Sequence, residues 1–143
     1  MGILSVSALI LFFVSCKKDG ASSTSIVGTW ELKQAQTGMI PTVDYPQGNG
    51  NKLVFSTTGY EKYTNGNLVK NGNYTLVSDA SVEASVGLVI PSGQFTNRII
   101  FDNDLTSSKT FIEVSNNKLT LLSGYFPLDG GSNVVYERIE DKH

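Results

Sequence analysis

The sequence predicts an all-β domain, an antiparallel up-and-down meander that closes into a barrel of about eight strands. Three observations lead there. From Ile26 onward apolar and polar residues alternate with period two, the spacing of a strand with two different faces. Turn chemistry recurs at short intervals, in Thr58-Gly59, Asn65-Gly66, Asn71-Gly72 and Asn116-Asn117, built from residues that tolerate positive φ. No ten-residue stretch after Ser25 carries a helical stripe. A meander of short strands leaves two unpaired edges, and closure into a barrel removes them.

Taken in order, the first strand is expected near 26–35, where Ile26, Gly28, Trp30 and Leu32 alternate with Val27, Thr29, Glu31 and Lys33. Strands follow near 51–57, 60–64, 68–77, 85–90, 97–102, 109–115, 117–123 and 133–140. Two connections are longer than a hairpin needs. One is 37–50, with Pro41 and Pro46, and the other is 124–132, with Tyr125-Phe126-Pro127. Loops of that length on a small barrel are lids, rim contacts or plain surface excursions.

The chain ahead of this domain gives an address. Residues 3–14 are apolar except for Ser5 and Ser7. The run is shorter than the roughly 20 residues that span a bilayer, and it suits the apolar region of a secretion signal. Val14-Ser15-Cys16 resembles the lipobox of bacterial lipoproteins. The resemblance implies cleavage after Ser15, lipid on Cys16, and attachment to a membrane of the cell envelope, the outer membrane being the expected one. One acyl chain holds a protein only marginally, so the several chains this modification places on one residue account for a single cysteine at this boundary. The expected organisation is a signal peptide over 1–15, the lipidated cysteine and a flexible tether over 16–25, a barrel domain over 26–140 and a frayed end over 141–143.

Gly28-Thr29-Trp30 looks like the G-x-W motif that opens the lipocalin barrel. Phe55-Ser56-Thr57-Thr58-Gly59-Tyr60, Asn71-Gly72-Asn73-Tyr74-Thr75-Leu76 and Val135-Tyr136-Glu137-Arg138-Ile139 extend the likeness in order and spacing. Together they resemble the small lipocalin-like domains of lipoproteins from Bacteroidetes-type bacteria. The resemblance implies that Trp30 sits at the closed end of the barrel with the late arginine, Arg138, packed across it. A guanidinium over an indole contributes about 0.5–2 kcal/mol. The chain is short, and it lacks the helix after the last strand and the disulfide of full lipocalins.

Composition narrows the function. The chain has 143 residues, a formal net charge of −2 and no basic stripe, which argues against nucleic acid as a partner. A lone cysteine excludes an intramolecular disulfide, and a domain of about this length can stand on its core alone. Histidine occurs once, at His143, so Ser-His and Cys-His nucleophile systems and a clustered zinc site are not expected. Asp102, Asp104, Thr106 and Glu113 fall at EF-hand-like spacing, but Ser107 stands where that loop needs glycine and the flanks alternate like strands. Glu31, Glu61, Glu113 and Glu137 read as solvated outer faces rather than a catalytic pair. No catalytic residue, metal or cofactor is expected.

The remaining candidate is a pocket inside the barrel. The expected ligand-pocket residues are Leu32, Phe55, Tyr74, Leu76, Phe101, Phe111, Leu121 and Tyr136, with Leu53, Ile99 and Leu119 also inward. An eight-stranded barrel has room for its own side chains or for one small ligand, so the same residues fit a filled core equally well. The expected function is non-catalytic binding of a small hydrophobic or amphipathic molecule at the open end. The alternative is a filled barrel whose long loops, around Tyr125 and Phe126, meet an envelope protein, a glycan or an enzyme to be inhibited.

Overall fold

A computed structural model describes residues 25–140 of the chain. The expected signal, Cys16, most of the tether and His143 lie outside the described residues. One nine-stranded antiparallel sheet holds β1 (Gly28–Thr37), β2 (Val43–Asp44), β3 (Lys52–Phe55), β4 (Gly59–Thr64), β5 (Asn67–Ser78), β6 (Asn97–Phe101), β7 (Thr110–Ser115), β8 (Lys118–Ser123) and β9 (Ser132–Ile139). From β3 onward each strand pairs with the next, and β9 returns to pair with β1 from Thr29↔Ile139 to Thr37↔Ser132. The sheet therefore closes as an eight-stranded barrel, and β2 is extra. It extends the β3 side of β1, pairing Gln34 with Asp44. The described residues close their own sheet and bury their own cores, as a self-contained folding unit does.

The stretch 85–90, expected as a strand, is not one. A short helix α1 (Val82–Val86) ends there, and Gly87 caps it at φ +71 with its N–H on Glu83 O. Val82 and Val86 stand four apart and are both buried, which is one helical turn facing a core. The apolar run Val86-Gly87-Leu88-Val89-Ile90 imitates a strand, and a single turn is too short to show a helical period.

Cross-strand partners share a face. Followed around the barrel from Trp30, the inner face collects Leu53, Phe55, Tyr60, Ile99, Ile112, Leu119 and Tyr136, all buried in one cluster with Ile26. Phe111 is a correction. It pairs with Arg98 and Leu122 on the outer face, while Ile112 takes the inward place. Phe111 and Leu122 form a second core outside the barrel, covered by Val82, Val86, Phe95 and Phe126. Apolar residues on both faces of Phe111-Ile112 leave alternation unable to say which points in.

Strand direction puts the entry at Ser25 and the β3–β4 and β7–β8 turns at one end, and the 38–51, 65–66, 102–109 and 124–131 connections at the other. The first end is plugged. Trp30 Nε1 donates to Ile26 O at 2.8 Å, and the Arg138 guanidinium lies 4.1 Å from the Trp30 ring centre. Arg138 also donates to Val27 O at 2.8 Å and Ser25 O at 2.6 Å. Trp30 and Arg138 are direct cross-strand partners, a meeting that exists only because the last strand closes on the first. Gly28 has φ +139, and a Cβ there would stand 2.5 Å from Arg138 Nη1. The glycine of Gly28-Thr29-Trp30 thus makes room for the arginine.

The long connections are held down. Across 37–50, Tyr45 N bonds Lys33 O at 2.9 Å, Gly48 N bonds Glu31 Oε1 at 2.8 Å and Asn49 Nδ2 bonds Leu32 O at 2.9 Å, so this loop lines the wall beside β1 and buries Glu31. In the 124–132 connection a 3₁₀ turn (Phe126–Leu128) seats Phe126 on the outer core. Gly38 N bonds Gly131 O at 2.7 Å and ties the two loops together.

Candidate functional site

Above the Trp30–Arg138 plug the barrel is not filled to its rim. A cavity of about 160 Å³ is lined by Leu53, Phe101, Leu121 and Tyr136, with Tyr60, Lys62 and Lys70 completing the wall. Its floor is aromatic. Phe55 meets Tyr74 edge-on at 5.1 Å between ring centres, and Tyr60 meets Phe101 at 4.7 Å. These contacts fix the floor, because edge-to-face rings add about 0.5–1.5 kcal/mol to their burial.

Register brings lysines to the inner face. Leu53 faces Lys62, and Lys62 faces Lys70 across β4 and β5. Lys70 has a counter-charge in Asp102 Oδ2 at 3.5 Å. Asp102 follows β6 with φ +54, and this left-handed turn folds its carboxylate back over Gly72. A Cβ at Gly72 would overlap that carboxylate. Tyr60 Oη donates to Asp102 Oδ2 at 2.7 Å and Asn73 N donates to Oδ1 at 3.1 Å. The Tyr60 bond leads in holding the Asp102 carboxyl below its usual range, and burial leads in raising the Tyr60 phenol. Lys70 is raised, first by Tyr60 and then by Asp102.

Two groups in the cup remain unmatched. Lys62 is exposed and has no ion pair among the described residues. Tyr136 is only 8 % exposed, and its hydroxyl makes no hydrogen bond to another described residue. Burial pushes the Tyr136 phenol up to about 12, with Tyr45 adding to the rise. Tyr136 lines an open cavity, from which water or a ligand atom can reach its hydroxyl.

Of the expected pocket residues, Phe101, Leu121 and Tyr136 line the cup. Phe55 and Tyr74 lie beneath it, and the Tyr74 hydroxyl is taken by Ser56 O at 2.7 Å. Leu32 packs against the core without lining the cavity. Leu76 shares the inner face with Ile99 but stays exposed outside the cup, and Phe111 is on the outer face altogether. Tyr60, Lys62 and Lys70 were not anticipated. The signal was available, because Tyr60 and Lys62 continue the two-residue spacing after the 56–58 turn. Lysine at such a position normally reads as solvated face.

A larger depression of about 490 Å³ lies on the outer face of β3, β4 and β5, over Val54, Glu61 and Asn71. Glu61 there accepts from Tyr63 Oη at 2.8 Å, and the lining is mostly small or polar, so the inner cup with Leu53, Phe101 and Leu121 is the stronger site for an apolar body. Glu31, Glu113 and Glu137 point outward with Glu61. Among the described residues no group of three or more His, Cys, Asp or Glu comes together. The chain matches no protein-family model, no curated protein and no solved structure.

Proposed function

We propose that this chain is a non-catalytic binding protein of the bacterial envelope, lipid-anchored through Cys16 and similar to lipocalin-like lipoproteins. Its barrel takes a small hydrophobic or amphipathic molecule at the open end. The supporting observation is the cup itself, with Leu53, Phe101 and Leu121 as its apolar wall and the Tyr136 hydroxyl and two lysines as its few polar groups. Ligand sites have this composition, mostly apolar with a few aimed polar groups. The volume is below the roughly 300 Å³ at which drug-sized sites begin, so the ligand is small or enters by one end.

Native mass spectrometry on residues 21–143, gently purified from a bacterial host, tests the reading. The expected result is a reproducible added mass that organic solvent removes and that Leu121→Trp, which fills the cup, abolishes. A bare mass with no thermal shift across a lipid and metabolite panel counts against a binding barrel. The anchor is tested on the full chain by labelling with an alkyne fatty acid, where label retained in Cys16→Ser would overturn it.

A second reading has its own support. Met39, Leu105 and Leu128 are 85 %, 72 % and 80 % exposed, all on connections at the open end, and Ile40 and Tyr125 are exposed beside them. Val89, 94 % exposed, lies on the 79–96 connection instead, but several exposed apolar groups at one end suit a protein contact. Phe126 does not join them, since it serves the outer core. This reading gains if the bare barrel is found and Met39→Lys with Leu128→Lys changes its association state.

A further inference from the structure

We infer that the molecule this cup takes is a small organic acid carrying a single negative charge, its apolar body between Leu53, Phe101 and Leu121 and its acid group on Lys62. The inference rests on the reading of the barrel as a binding cup and narrows the class of ligand.

The argument begins with register. Lys62 and Lys70 face each other directly on the inner side of an antiparallel pair. Like charges placed so are destabilising, and each calls for a counter-charge. One is supplied internally. Asp102 folds over Gly72 and holds Lys70, with Tyr60 and Asn73 satisfying its remaining oxygen sites. The protein thus already seats one carboxylate at the mouth of the cup. Lys62 is left with none, while its stem lines the same cavity as Leu53, Phe101 and Tyr136. One positive charge therefore remains open, which favours a mono-anion over a di-anion or a cation.

The body follows from volume. A dry cavity of about 150 Å³ holds a benzene-sized molecule, so a cup of this size takes a phenyl ring or a short alkyl chain rather than a long acyl chain. The Tyr136 hydroxyl lies in the wall and can serve a second polar atom of the ligand.

The test is an amide chemical-shift titration of residues 21–143 at neutral pH with hexanoate, hexanol and hexylamine, which share a body and differ in the head. Hexanoate is expected to shift the amides of Lys62, Phe101, Leu121 and Tyr136 and to bind about tenfold more tightly than hexanol, the worth of one charge-assisted hydrogen bond. Hexylamine is expected to bind weakest. Lys62→Met keeps the stem and removes the charge, so it should bring hexanoate and hexanol together while hexanol binding persists. Hexanol binding as well as hexanoate to the unaltered protein overturns the acid while leaving the cup. Absence of shifts at all four amides with every probe overturns both.

Discussion

Tyr136 shows how one side chain joins stability to the site. Its direct cross-strand partners are Leu32 and Leu119, and Leu119 is fully buried. Water is withdrawn from the ring, the ionised form is disfavoured, and the phenol rises to about 12. The sign follows from linkage. Below pH 10 the phenol is protonated in both folded and unfolded chains and costs nothing. Between about 10 and 12 only the unfolded chain releases its proton, so folding stability falls as pH rises through that window. A shift of this size corresponds to about 1–3 kcal/mol. Tyr136→Phe should remove that part of the alkaline loss while the other tyrosines keep theirs. Urea unfolding of both proteins from pH 9 to pH 12 measures it, and parallel curves would contradict the burial of the phenol.

At the scale of the element, the outer core is where the 79–96 and 124–131 connections meet. α1 places Val82 and Val86 on Phe111 and Leu122, and the 3₁₀ turn brings Phe126 to the same cluster. Gly87 is the close approach between them. Its φ is +71, and a Cβ would stand 2.5 Å from Pro127 Cδ and 2.7 Å from the Tyr125 ring. Gly93 has φ +82 with nothing within 4 Å, so it serves as the control. Gly93→Ala should cost only the left-handed strain, about 1–2 kcal/mol. Gly87→Ala should cost clearly more, because it also drives the 124–131 connection off the helix. Equal midpoints in urea unfolding would mean that the two connections do not support each other. This element was the part least readable from sequence. The strands announced themselves through alternation and Asn-Gly turns, and Gly28-Thr29-Trp30 pointed correctly to the arginine across the plug. A one-turn helix has no period to detect, and β2 is two residues between prolines. Phe111-Ile112 offers apolar groups to both faces. For the cup, Phe101, Leu121 and Tyr136 could be read from hydrophobicity, whereas Lys62 and Lys70 could not. Their inward placement depends on register, which the turns set and composition does not reveal.

Across the whole molecule, the barrel and its outer core depend on each other unequally. The barrel is held by a pairing of its first and last strands, β1 and β9, that runs nearly their full length with one register shift between Leu32 and Gln34. Breaking that seam opens two sheet edges and exposes Trp30, so no part of the inner core survives it. The outer core is different. α1 has five residues, far below the length at which a helix sustains itself, and it leans on a barrel wall that does not need it to close. Smaller openings should therefore release α1 and the 126–128 turn while the seam stays shut. Native-state hydrogen exchange across low urea separates the cases. The amides of β1 and β9 are expected to exchange only with global unfolding, their opening energies falling steeply with urea. The Ser85 and Gly87 amides, bonded to Ser81 O and Glu83 O at 2.9 and 2.8 Å, are expected to open at lower energy and with little urea dependence. If they match β1 and β9, the two cores are one cooperative unit, and the outer core is held as firmly as the barrel around the cup.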